Sequence, residues 1–148
     1  MRRLLAALLS VVALSVAVAA AEATPPSPVT IITAIDFSEP PFSGTFTVPE
    51  GSSTLGCSAG TFVDFPRGFG VIEKNFTCTS GSGSGDTFVV LFHPLQVGFP
   101  GPGVANGPWS VLSGTGDFAT LHGSGDFSLV FTGPASGEET LTGGIHLD

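Results

Sequence analysis

Chemistry in this sequence would have to come from few residues. There are three histidines, His93, His122 and His146. A metal site would need them gathered with a carboxylate around one ion. Their spacing offers neither H-x-H nor H-x-x-x-H, so neither a metal site nor a cofactor is expected. Asp36, Asp117 and His122 form the candidate acid/base set, since carboxylates and an imidazole converging on a barrel mouth could move a proton. Nothing in their spacing requires that they meet. No Gly-x-Ser-x-Gly elbow joins a strand to a helix, so a serine nucleophile lacks its scaffold.

The Gly-Ser-Gly-Ser-Gly-Asp run at 81–86 invites a phosphate cradle or a calcium turn. No Walker lysine follows it, and no helix is predicted after it. The phase of a repeated calcium turn is also wrong, with Ser84 where a glycine should stand, and no tandem array exists. A flexible hairpin turn is the plainer explanation. Cys57 and Cys78 are the two cysteines. In an exported chain such a pair reads as a disulfide. A redox or metal pair would call for a C-x-x-C spacing or a nearby histidine, and neither is present.

Export is expected from the first residues. Arg2 and Arg3 precede an apolar run from Leu4 to Val18, and Ala17, Ala19, Ala21 and Ala23 supply A-x-A cleavage patterns. Residues 1–23 therefore read as a secretory signal peptide, too short in its apolar part for a spanning helix. Secretion, an extracellular location and no membrane association after cleavage follow as expectations. Residues 24–28 form a Pro-rich lead and residues 29–148 one domain. Loss of Arg2, Arg3 and Glu22 turns the chain's four cations and twelve carboxylates into two against eleven, a charge of 2 − 11 = −9. Nucleic acid and anionic membrane, which want a basic partner, are poor candidates.

The elements that must position these residues are strands. Gly (21) and Pro (12) punctuate the chain, with Phe, Val and Thr between them and no helix signal. Strands are predicted over 29–37, 43–48, 55–65, 71–79 and 86–93. In the first, Val29, Ile31, Thr33, Ile35 and Phe37 share a face. In the fourth, Ile72, Lys74, Phe76 and Cys78 do. A lysine among those three predicts either a bulge or an end open to water. The fifth is apolar on both sides, as a strand at a subunit contact would be, so a homo-oligomer is a possible assembly. Residues 94–108 read as a long loop, a lid or a disordered excursion. Residues 109–131 read as strand, glycine turn at Gly114 and Gly116, short amphipathic segment, second glycine turn at Gly123 and Gly125, and strand. An acidic loop around Glu138 and Glu139 precedes a closing strand over 140–147. Roughly eight strands result, and closure into a barrel would remove their exposed edges. Trp109 and the thirteen phenylalanines suit its core. The absence of tyrosine weakens any case for a carbohydrate-stacking or nucleic-acid-stacking surface.

A resemblance attaches to the glycine-rich stretch. Trp109-x-Val-Leu-Ser-Gly114-Thr-Gly116-x-Phe118-x-x-Leu121-x-Gly123 resembles the glycine motif of allene oxide cyclase-like and dirigent-like barrels. Cys57-Ser-Ala-Gly-Thr61 and Phe76-Thr-Cys-Thr-Ser-Gly-Ser-Gly83 resemble segments that precede this motif in small exported bacterial proteins of actinobacterial type. The resemblance implies a single antiparallel eight-stranded β-barrel, often oligomeric. It transfers no catalytic residue, because Ser113 stands where the motif has a glycine and His122 where an arginine is common. The functions to weigh are an exported barrel binding a small apolar molecule, an isomerase, cyclase or dirigent-like protein steering a reactive intermediate, and a structural subunit of an extracellular homo-oligomer. Phenylalanines pointing inward at every level would argue against any ligand. A cavity lined by Asp36, Asp117 or His122 would favour an enzyme.

Mass measurement of the exported chain should show it two hydrogens lighter than the reduced sequence. Two alkylatable thiols in the native protein would refute the bridge.

Overall fold

The alternation of apolar and polar residues becomes pleat. In the computed structural model, which describes residues 25–51, 54–95 and 104–148, eight strands follow in chain order: β1 (Ser27–Asp36), β2 (Ser43–Thr47), β3 (Cys57–Gly68), β4 (Val71–Gly81), β5 (Thr87–Phe92), β6 (Val104–Gly114), β7 (Leu121–Gly133) and β8 (Ser136–Leu147). Each pairs antiparallel with its neighbour, and β8 returns to pair with β1, closing an eight-stranded barrel. The predicted signal peptide and the tip of the 94–108 segment lie outside the described residues. Val29, Ile31, Thr33 and Ile35 of β1 point inward, as their alternation required.

One end of the barrel is packed shut. Phe46, Phe76, Phe88 and Phe118 form a chain of rings, with Phe76 stacked on Phe88 at 4.7 Å and edge contacts at 5.1 Å (Phe46–Phe76) and 5.4 Å (Phe88–Phe118). Phe118 closes this end from a single 3₁₀ turn, Gly116–Phe118, between β6 and β7. The Cys57–Cys78 disulfide lies at the same end and ties β3 to β4, which are already neighbours. Closing a loop of this length in the unfolded chain contributes on the order of 3 kcal/mol.

Several expectations change. Residues 104–108 are strand, the first half of β6, so the predicted loop is shorter. Glu138 and Glu139 lie in β8, which begins four residues before the predicted strand. Lys74 faces inward without a bulge on either side of it, because it has partners inside. On β5, Val89 and Leu91 face outward and are half-buried. Gly123 and Gly125 form no turn. They sit inside β7, paired with Ile145 and Gly143. A Cβ on either would run into β8, at Ile145 or at the Thr142 carbonyl. Trp109 of β6, which pairs with Gly125, donates its indole N–H to the carbonyls of Asp126 (3.1 Å) and Thr142 (3.2 Å). A Cβ on Gly143 would lie 2.7 Å from the indole Cζ2, so this glycine makes room for the ring.

Gly114 ends β6, and Gly116 adopts φ of 54°, the left-handed region that favours glycine. A Cβ there would also run into the Asp86 carboxylate, which accepts the Asp117 amide at 2.8 Å. Gly116→Val should therefore lower the unfolding free energy by about 2 kcal/mol or more. Urea denaturation checks this, and unchanged stability would mean that the turn relaxes to another conformation at no cost.

Candidate functional site

Lys74 is the residue from which the site is built. Its ammonium leaves β4, crosses the lumen and donates to Glu139 Oε2 on β8 at 2.7 Å. These strands are four apart in a ring of eight, so the pair joins opposite walls. Both side chains are almost wholly buried. The Lys74 Nζ lies 4.0 Å from the centre of the Phe62 ring and 5.1 Å from that of Phe92, an arrangement in which the ring faces offset part of the lost hydration. Thr33 on β1 adds its hydroxyl to the carbonyl and Oε2 of Glu139, each at 3.4 Å.

Asp64 completes the group. It sits on β3 directly opposite Lys74, with Oδ1 3.5 Å from Nζ. That distance allows charge attraction but is long for a charge-assisted hydrogen bond. Oδ1 is buried and has no hydrogen-bond partner among the described residues. Burial pushes the Asp64 carboxyl up to about 6, and the neighbouring Glu139 carboxylate adds to this against the opposing pull of Lys74.

The three ionisable groups form the floor of a cavity of about 190 Å³ at the end away from the disulfide. Every other lining side chain is apolar, among them Ile35, Ile72, Phe92, Phe127, Leu129 and Phe131. Phenylalanines thus fill the barrel below the ion pair and surround an opening above it.

The candidates read from the sequence lie elsewhere. Asp36 ends β1 at the exposed rim, where hydrogen bonds from Ser38, hydroxyl first and then amide, hold its carboxyl below the usual range. Asp117 is exposed on the 3₁₀ turn at the opposite end. His122 points outward from β7 and stacks on His146 of β8 at 5.3 Å, both near the Asp148 carboxylate. His93 is exposed just past β5. The structure pairs His122 with His146 and brings neither to Asp36, Asp117 or the cavity. No group of three or more His, Cys, Asp and Glu among the described residues could hold a metal ion. Asp64 and Glu139 were missed as site residues. Lys74 carried a signal, as the charged member of an inward face.

No family model matches the sequence, and no curated protein does. Among solved structures the fold is similar to that of a pterocarpan synthase dirigent protein, with 13% identity over 82% of this chain and 88% of that one, at a TM-score of 0.39. At that score the likeness says nothing about activity.

The raised Asp64 pKa makes stability depend on pH. An unfolded aspartate titrates near 4, so the folded state holds the proton more tightly between about pH 4 and 6. The stability this group contributes is fully present below about pH 4 and lost as pH rises through 6. The folded state's preference for the protonated Asp64 corresponds to about 3 kcal/mol. Asp64→Asn mimics the neutral acid in shape. It should raise the unfolding free energy by about 1–3 kcal/mol at pH 8 and change it little at pH 4. Urea titrations of both proteins at the two pH values test this, and an equal change at both would exclude a buried, charged Asp64 as the cause.

Proposed function

We propose that this chain is an exported barrel protein that binds one small, mostly apolar molecule in the cavity above the Lys74–Glu139 pair. The observation that carries the reading is the contrast between the two halves of the lumen. Below the pair, rings fill the space. Above it, about 190 Å³ is left open and walled almost entirely by apolar side chains. An apolar cavity of roughly 150 Å³ is enough to hold benzene. One substituted ring, or an aliphatic chain of similar bulk, therefore fits this one. Cavities with apolar walls and a few polar groups at one point are the usual form of small-molecule sites.

A catalytic role, as an isomerase, a cyclase or a dirigent-like barrel steering a reactive intermediate, draws support from one observation. Asp64 sits in the cavity wall, where burial pushes its carboxyl up to about 6, toward the range in which a general acid or base works best. That role needs the same cavity to be occupied, so binding is the first property to establish.

Toluene or ethylbenzene should shift the methyl resonances of Ile35, Ile72 and Leu129 and raise the melting temperature, because binding to the folded state alone stabilises it. Ala105→Leu, which extends a wall residue into the cavity, should weaken that binding at least tenfold. Unmoved methyl resonances across a panel of single-ring compounds would remove the reading.

A further inference from the structure

The floor of the cavity carries unequal charge. Lys74 brings one positive charge, and Asp64 and Glu139 bring two carboxylates. No other charged side chain lines the cavity, since its remaining walls are apolar. The three groups are not equally engaged. Glu139 Oε2 takes the Lys74 ammonium at 2.7 Å and also lies within reach of the Thr33 hydroxyl. Lys74 is held between Glu139 and the Phe62 and Phe92 rings, so its charge is spent inside the wall. Asp64 Oδ1 has no hydrogen bond among the described residues, and Asp64 is only 6% exposed and lines the cavity. A buried carboxylate in that state is costly unless a donor arrives.

We infer that the ligand of this cavity is a small apolar amine, bound as its ammonium with an N–H donated to the Asp64 carboxylate and its hydrocarbon part against the phenylalanine walls. The inference rests on the binding role proposed above and adds the polar group that the bound molecule carries. An ammonium supplies what the site lacks in two respects. It brings the positive charge that balances two carboxylates against one lysine, and it brings donors, where Asp64 and Glu139 offer only acceptors. The walls suit it as well, because the ring faces that accept Lys74 are of the kind that accept a ligand cation. A carboxylate-bearing ligand would meet Asp64 with like charge. A pure hydrocarbon would bring the Asp64 carboxylate neither a donor nor a positive charge. The groups that set the charge of Asp64 are Lys74 from β4 and Glu139 from β8. Its proton should compete with the amine, so binding should weaken as pH falls below about 6.

Phenethylamine and propylbenzene test this. They share a ring and a chain of equal length and differ by an ammonium in place of a methyl group. Their affinities for the full chain would be measured by calorimetry or by the methyl shifts at pH 7.5 and pH 5, where phenethylamine stays protonated. The amine should lose about tenfold in affinity at pH 5, and propylbenzene should lose none. Asp64→Asn, shown to be folded by its denaturation curve, should lower the ratio of amine to propylbenzene affinity at least tenfold at pH 7.5. Propylbenzene binding with no amine binding, or amine binding insensitive to both pH and Asp64→Asn, would overturn the inference and leave the apolar cavity in place. Failure of both compounds to bind would overturn the cavity reading itself, and this inference with it. 3-Phenylpropionate binding more tightly than the amine would assign the site the opposite charge preference.

Discussion

The structure depends on a charge pair that spans the inside of a barrel. Lys74 and Glu139 come from opposite walls and meet in the middle of the lumen. Moving two charges out of water costs several kcal/mol each, and the pair is tolerated only because the geometry is close and neighbouring groups take up what remains. Those neighbours are specific here. Phe62 and Phe92 cover the ammonium, Thr33 approaches Glu139, and Asp64 stands opposite Lys74. The pair also divides the barrel. On one side the rings from Phe46 to Phe118 pack against each other and the disulfide closes the end. On the other side the phenylalanines line walls and leave a cavity. A small antiparallel barrel of eight strands has room for packed side chains or one ligand. This one has a floor of charge with packed rings beneath it and open space above.

Glycines do two kinds of work around that floor. Gly116 makes the turn that sends Phe118 into the end of the barrel. Gly143 is a strand residue whose missing side chain admits the Trp109 indole, anchored to two carbonyls, and Gly125 lets β7 lie close against β8. The ring fills volume that neither strand could fill with its own side chain. The glycine-rich first part of the stretch from Trp109 to Phe131 shapes backbone and packing, while Phe127, Leu129 and Phe131 at its end line the cavity.

Much of this was legible in the sequence. Period-two alternation marked β1 and the second half of β7, a short apolar run marked β5, and the paired cysteines marked the bridge between β3 and β4. The number of strands and their closure followed from turn signals and from the need to cover edges. The glycines of β7 misled because a glycine pair next to an aspartate has the composition of a turn. What they accommodate is the close approach of β8, and that pairing is not local. The site misled for a related reason. Glu138-Glu139 after Gly-Pro-Ala-Ser-Gly has the composition of a loop, so Glu139 was never placed on a face. Yet counting back by twos from Ile145 gives Gly143, Leu141 and Glu139 on one side. An inward glutamate and an inward lysine were both present in the alternation, and opposite charges on two inward faces are grounds for pairing them.

That pairing also explains why a buried ion pair is useful where leucines would hold the walls together as well. Strand register in a barrel is fixed chiefly by which residues face in, and a slip of one residue turns every side chain over. Many inward positions here are phenylalanine, valine, leucine or isoleucine, and several outward ones, such as Val89, Leu91, Leu112 and Val130, are apolar too. Hydrophobicity alone separates the two faces weakly on those strands. A slip of β8 would carry Glu139 to the outside and leave Lys74 as an unpaired cation in an apolar lumen. Breaking a buried pair in that way costs about 3–5 kcal/mol, comparable to the net stability of a domain at the lower end of the usual range. Lys74 and Glu139 thus penalise the wrong register more than they stabilise the right one. Asp64 stands outside this account, because one carboxylate is enough to pair Lys74. A second buried carboxylate makes no contribution to register that Glu139 does not already make, so its place in the cavity wall is not accounted for by the fold.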